Sequence, residues 1–205
     1  MFDYSIYLGA DCPEDVFSFR YKIYVEEMKR PQKYADPEKK IIKDAMDPTG
    51  IHFLARNNEG ELVACMRVND VGACDIGDYF ELYRFDDVPE DRRALTTIGT
   101  RLMSLNAVRK TPAALGLFFS SCRYALNNGI RYCRLDCNDY LVKHFEAVGY
   151  KSLFNVTHEE YGDVVVLEID LADVSYLEKI GSPLAALCIR ARDTGSAGDP
   201  ATPFA

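Results

Sequence analysis

The spacing of apolar residues switches between two periods along the chain, and the switches mark out strands and helices. Residues 3–8, DYSIYL, alternate and predict a strand. From 13 to 29 the period becomes helical: Val16, Ile23, Tyr24 and Met28 fall on one side, Pro13 suits the first helical position, and Glu14 and Asp15 suit the positive end of the helix dipole. Residues 31–50 are polar and broken by prolines, which predicts a loop holding at most a short helical turn. IHFLAR (51–56) and ELVACMRV (61–68) predict strands joined by a hairpin turn over Asn57, Asn58, Glu59 and Gly60. Residues 70–93 form a long acidic loop with room for a short helix.

The segment ALTTIGTRLMSL (94–105) is β-branched and apolar and predicts a strand. Gly99 in its middle marks a bulge or a close backbone approach. A helix over 113–128 closes on Gly129, a strand spans 130–137, and a helix over 139–148 closes on Gly149. YKSLFNVT and DVVVLEIDL predict two strands around the turn EEYGD. Residues 172–190 predict a short helix and then an apolar segment after Gly181, Ser182 and Pro183. The last fifteen residues, 191–205, predict a disordered tail, leaving 1–190 as a single domain. Helices between central strands, with no internal repeat, predict an α/β fold: a mixed sheet of about seven strands with helices on both faces.

One residue resists this pattern. Arg20 lies four residues after Val16 and four before Tyr24, on the apolar side of the first helix. A guanidinium there is costly unless it has a partner or reaches past Tyr24 to solvent.

Composition narrows the function classes. The 205 residues carry a net charge of −8, and no basic stretch is long enough to follow a phosphate backbone, which argues against nucleic acid as the main partner. No run of 18 apolar residues exists to span a membrane, and the N-terminus lacks the basic and apolar regions of a signal peptide, so a cytoplasmic protein is expected. Seven cysteines without a CxxC pair and three dispersed histidines give no metal-ligand spacing. They read as reduced thiols, several of them in the core.

Four stretches together resemble one family. GIRYCRLDCNDYLVKHFEAVGY is similar to the last strand–helix unit of the GNAT acyltransferase fold. FRYKIYVEEM resembles the first helix of acyl-homoserine-lactone synthases and the related N-acyl amino acid synthases. IKDAMDPTGIHFLAR resembles their Asp-x-x-Asp element, here Asp44 and Asp47, and ACMRV places Arg67 where they have an arginine ending the third strand. YGDVVVLEIDL with SYLEKIGSPLAAL is similar to the C-terminal region of N-acyl amino acid synthases. The resemblance implies a GNAT (acyl-CoA N-acyltransferase) fold and no tightly bound cofactor. It also implies a co-substrate in the form of an acyl-phosphopantetheine thioester, on acyl carrier protein or coenzyme A, and a small-molecule amine acceptor such as an amino acid.

On that reading Arg20 pairs with Asp44, Asp47 or both, in bidentate geometry, and these three with Arg67 and Arg101 form the catalytic cluster. Arg67 and Arg101 could equally bind an acceptor carboxylate or serve a structural network with the two acids. The donor arm falls to Leu102 and Met103 on the strand and to Arg109, Lys110, Thr111 and Ala113 at the start of the following helix. There RKTPAALG lacks the doubled glycine of many GNAT loops but keeps a basic pair before a helix N-terminus. The acceptor and acyl chain fall to Tyr24, Phe118, Phe119, Asp136, His144 and Phe145. Leu102, Met103, Leu105, Phe118, Phe119 and Tyr124 would line an acyl tunnel or simply form core.

Two positions depart from the family. Its glutamate on the fourth strand is Ile98 here, although the arginine survives as Arg101, and its thiolate-protonating tyrosine is Phe145, next to His144. Proton removal then falls to another acid, with Asp136, Asp139 and Glu81 as candidates. The same departures leave room for a different activated donor (an aminoacyl or peptidyl carrier, or a charged tRNA) or for a carrier-binding module without turnover.

Overall fold

A computed structural model describes residues 1–109 and 111–194. In chain order its elements are β1 (Asp3–Leu8), α1 (Asp15–Tyr21), β2 (Ala35–Asp36), β3 (Ile41–Ile42), β4 (Ile51–Arg56), β5 (Leu62–Asp70), α2 (Tyr79–Leu82), α3 (Glu90–Arg93), β6 (Thr96–Ser104), α4 (Ala113–Asn127), β7 (Tyr132–Cys137), α5 (Val142–Val148), β8 (Lys151–His158), β9 (Gly162–Asp170), α6 (Val174–Lys179) and α7 (Ala185–Thr194). Seven strands form one mixed sheet in the order β1-β4-β5-β6-β7-β9-β8, and β2 and β3 form a separate ribbon. Among the described residues no helix is long and apolar enough to cross a membrane.

The described chain divides into two compact units. The first comprises Met1–Asn69 and Thr100–Ser120, the second Asp70–Gly99 and the chain from Ser121 onward. In the first, β1, β4 and β5 are antiparallel, with Ile6 opposite Phe53 and Phe53 opposite Met66. Every residue of β4 but Arg56, and of β5 but Asp70, is buried. These strands are covered on both faces, which is why they read as near-continuous apolar runs. In the second unit β7 runs parallel to the start of β6, over Thr96–Ile98 against Tyr132–Arg134, and antiparallel to β9. β8 lies at the edge of the sheet and leaves most of its residues exposed or half-buried.

The helix expected over 13–29 is α only through Tyr21. Lys22–Glu27 form a wider π turn, marked by the Met28 N–H donating to the Ile23 carbonyl five residues back. The acidic loop at 70–93 holds α2 and α3, four residues each. Gly129 and Gly149 close α4 and α5 as expected, with φ of 71° and 129°. The expected tail needs correction at its start: α7 continues through Thr194, so residues 191–194 are helical, while 195–205 lie outside the described residues.

Neither the bulge nor the close approach expected at Gly99 is marked there: an added Cβ would meet only ordinary contacts of 3.6 Å or more. Gly99 does not have a positive φ, and the left-handed residue of β6 is Arg101, at φ 55°. A side chain bearing Cβ is strained there, by about 1–2 kcal/mol, so neighbouring structure must hold the conformation.

Candidate functional site

Arg20 has partners. On α1 it lies among Val16, Phe17, Phe19 and Ile23, all buried, and is itself 1% exposed. Its Nη1 donates to Asp47 Oδ1 at 2.7 Å and its Nη2 lies 3.4 Å from His52 Nδ1. The expected bidentate pairing is therefore replaced by a fork with one prong on a carboxylate and one on an imidazole.

Asp47 opens the tight turn Asp47–Thr49 just before β4. Its Oδ1 also accepts from Arg67 Nη1 at 2.8 Å, and its Oδ2 accepts the Asp44 N–H at 2.8 Å. Arg67 is on β5 and fully enclosed. The same Nη1 contacts Asp44, and Nε donates to Thr100 Oγ1 at 3.1 Å. Asp44 Oδ2 accepts from Arg101 Nη2 at 3.0 Å, and Arg101 Nη1 donates to Gln32 Oε1 at 2.8 Å. The Arg101 guanidinium stands 5.7 Å from the Tyr24 ring centroid in the π turn. Gly50 lets Arg67 through: a Cβ there would lie 2.8 Å from Arg67 Cδ.

The cluster thus joins three guanidiniums to two carboxylates. Burial alone would raise the Asp44 pKa, but Arg67 and Arg101 outweigh it and hold it at about 2. Burial likewise opposes ionisation of Asp47, which Arg67 and Arg20 pull below the usual carboxylate range. Burial pushes His52 down, aided by the Arg20 charge and opposed by Asp47.

Structure brings Arg20, Asp44, Asp47, Arg67, Arg101 and Tyr24 together. Of the other residues singled out in the sequence, Met103, Ala113 and Phe118 are buried, and Leu102 and Phe119 half-buried. Thr111 Oγ1 donates to the Val108 carbonyl at 2.7 Å and accepts the Ala113 N–H at 3.4 Å, which fastens the start of α4. Arg109 is exposed and 3.9 Å from the Glu27 carboxylate; Lys110 lies outside the described residues. In the second unit His144 is exposed on α5, and Phe145 is buried against Tyr150 with ring centroids 5.7 Å apart. Asp136 on β7 accepts a hydrogen bond from Tyr83 Oη at 2.9 Å. Gln32, His52, Thr100 and Tyr83 were missed by sequence reasoning: single polar residues in loops, or inside apolar runs, carry no periodic signal.

No family model matches the chain, and no curated protein matches it. Solved structures do. The CoA-dependent acyl-homoserine lactone synthase BjaI, solved with SAM and isopentyl-CoA, superposes with a TM-score of 0.68 at 18% identity, covering 94% of this chain and 99% of that one. TofI, solved in a ternary complex with an inhibitor and MTA, gives 0.67 at 17% identity, over 91% and 100%. An acyl-CoA N-acyltransferase from Pseudomonas aeruginosa gives 0.60 at 17% identity, over 82% and 99%. The chain has the acyl-CoA N-acyltransferase (GNAT) fold, and it shares that fold with acyl-homoserine-lactone synthases.

Proposed function

We propose that the protein is an N-acyltransferase. It moves an acyl group from a phosphopantetheine thioester, on acyl carrier protein or coenzyme A, to the amine of an amino acid or related small molecule. The carrying observation is Arg101, a non-glycine residue held left-handed in β6 with its side chain fixed by Asp44 and Gln32. A left-handed residue inside a strand is the backbone signature of a bulge, and N–H groups turned out of the ladder at such a point would suit an acyl oxygen that becomes an oxyanion during transfer. Arg20, Asp47 and Arg67 position this element and, at 0–2% exposure, touch no substrate; Arg101 is 7% exposed. Thr111 and Ala113 at the start of the 15-residue α4 suit the donor's phosphate. All seven cysteines are free, which suits a reducing compartment such as the cytoplasm.

A second reading is a carrier-binding module without turnover. It draws on Ile98 and Phe145, both buried, at the two positions where the resembling family places ionisable groups. One experiment separates the readings. Purified protein is given acyl-CoA and acyl-carrier thioesters together with single amino acids and small amines, SAM among them, and free thiol is followed with and without ribonuclease. Amine-dependent thiol release with an N-acyl product by mass spectrometry is expected. Release abolished by ribonuclease points to a tRNA donor. Tight carrier binding with no release from any pair overturns the transferase reading in favour of the module.

A further inference from the structure

The ion pair with Asp47 is only half of the hold on Arg20. The other half passes through His52, on β4 and 1% exposed. A guanidinium has hydrogens to give and no lone pair to offer, so His52 Nδ1, 3.4 Å from Arg20 Nη2, must be bare and accept. A backbone carbonyl only accepts, so His52 Nε2, 3.1 Å from the Asp47 carbonyl oxygen, must carry the ring hydrogen and donate. The two contacts allow one form of the imidazole: neutral, with its hydrogen on Nε2. They also close a ring. Arg20 reaches the Asp47 carboxylate directly through Nη1 at 2.7 Å, and the Asp47 main chain through His52. The same carbonyl accepts the Gly50 N–H at 3.1 Å, so the tight turn before β4 is fixed at that atom from two sides.

We infer that His52 is a positioning residue for the proposed acyl transfer: as the neutral Nε2–H form it clasps Arg20 to the Asp47 turn, and a proton at Nδ1 opens the clasp. The clasp bears on the site through two further bonds, all within the first compact unit. Asp47 Oδ2 accepts the Asp44 N–H at 2.8 Å, and Asp44 Oδ2 accepts from Arg101 Nη2 at 3.0 Å. Arg101 is the left-handed residue of β6 that carries the proposed function. At 1% exposure His52 touches no reacting atom and acts through this chain.

The groups around the imidazole decide whether it takes a proton. Across the strands, Arg67 of β5 is directly opposite it on one side and Tyr7 of β1 on the other. Arg20 faces it from α1, and Asp47 from the turn. Burial is the largest influence against the charged form. The Arg20 and Arg67 charges act with burial, and the Asp47 carbonyl and carboxylate act against it. The net direction is downward from 6.5, so the ring is neutral and the clasp closed near neutral pH. A proton added at Nδ1 would set a buried donor against a buried donor 3.4 Å away, and the guanidinium would have to leave.

This assignment rests on the transferase reading, and the test keeps the two apart. Nitrogen NMR of the labelled full-length chain reads the ring without any substrate. Of the three histidines, the one whose signals vanish in His52→Gln should show a protonated Nε2 and a bare Nδ1 at neutral pH. A charged ring there, or the hydrogen on Nδ1, overturns the assignment.

Kinetics reads the consequence. Glutamine offers an acceptor to Arg20 and a donor to the Asp47 carbonyl and does not titrate; leucine offers neither. With both variants shown folded by melting temperature, His52→Leu should lower kcat about tenfold or more relative to His52→Gln, with KM for the thioester little changed. The ratio of wild-type to His52→Gln kcat should fall on the acid side of 6.5, and the titration of the amine itself cancels in that ratio. Equal kcat in the two folded variants, or a ratio that stays flat on the acid side, overturns the assignment alone. If His52→Leu does not fold, the kcat ratio and the NMR still decide. A wild type inert toward every thioester overturns the transferase reading, and with it any part for His52 in transfer, whichever form of the ring the NMR shows.

Discussion

Arg20 on the first helix and Asp47 at the mouth of β4 meet at 2.7 Å with 1% and 2% of their side chains exposed. The pair ties α1 to the turn that also positions Asp44, and through Asp44 to Arg101. Removing one member of a buried ion pair costs about 3–5 kcal/mol. Asp47 keeps Arg67 and the Asp44 N–H, so Arg20→Ala should fall near the lower figure in urea denaturation and lose its acyl transfer. Unchanged melting temperature and unchanged turnover would mean that the cluster has no role.

Gly50 has an ordinary φ of −78°, so alanine is not excluded by the backbone. The obstacle is Arg67, whose Cδ and Cγ would lie 2.8 and 3.0 Å from the added Cβ. That stem cannot swing aside, because its head is bound by Thr100, Asp44 and Asp47. Gly50→Ala should cost about 1–3 kcal/mol and lower activity by shifting Asp44 and Arg101. A denaturation midpoint equal to wild type would show that the enclosure of Arg67 is looser than its contacts indicate.

Arg101 offers a way to separate backbone strain from side-chain contacts. Alanine and glycine at this position both remove the guanidinium and its bonds to Asp44 and Gln32. Only glycine relieves a φ of 55°. Arg101→Gly should therefore be more stable than Arg101→Ala by about 1 kcal/mol, the reverse of the usual order inside a strand. Both should lose activity. The ordinary order, with alanine more stable, would argue that the left-handed conformation does not exist in solution.

Arg20 was legible because a single charge interrupted a helical apolar stripe, and such an interruption requires a partner. Asp44, Asp47, Arg67 and Arg101 were found through motif resemblance, since their spacing alone carries no period. Gln32 and His52 gave no signal, although they take up guanidinium donors that the carboxylates leave over. Glycine's conformational freedom pointed to Gly99 as the irregular position; in the fold the left-handed residue is an arginine two residues away, whose side chain is held by Asp44 and Gln32. The π turn stayed hidden because one extra residue per turn barely disturbs the apolar face over six residues. α2 and α3 are four residues each, shorter than any window in which a helical period can be counted.

The acid cluster also sets how stability depends on pH. Asp44 titrates at about 2 in the fold, against 3.8 for an ordinary aspartate. As pH falls below 3.8 the unfolded chain binds a proton that the native carboxylate refuses, so stability present above that value is lost toward pH 2. The shift corresponds to roughly 2 kcal/mol, and Asp47, depressed in the same direction, adds to it. His52 is held below its ordinary 6.5 chiefly by burial. An earlier and shallower loss should therefore begin as pH falls through 6.5, where the unfolded imidazole takes up a proton before the native one does. Urea unfolding at closely spaced pH values would resolve both phases. Asp44→Asn should flatten the loss between pH 4 and 2, and His52→Gln should flatten the one that starts near 6.5. If Asp44→Asn leaves the acid slope as steep as in wild type, then Arg67 and Arg101 do not hold that carboxylate in its charged form.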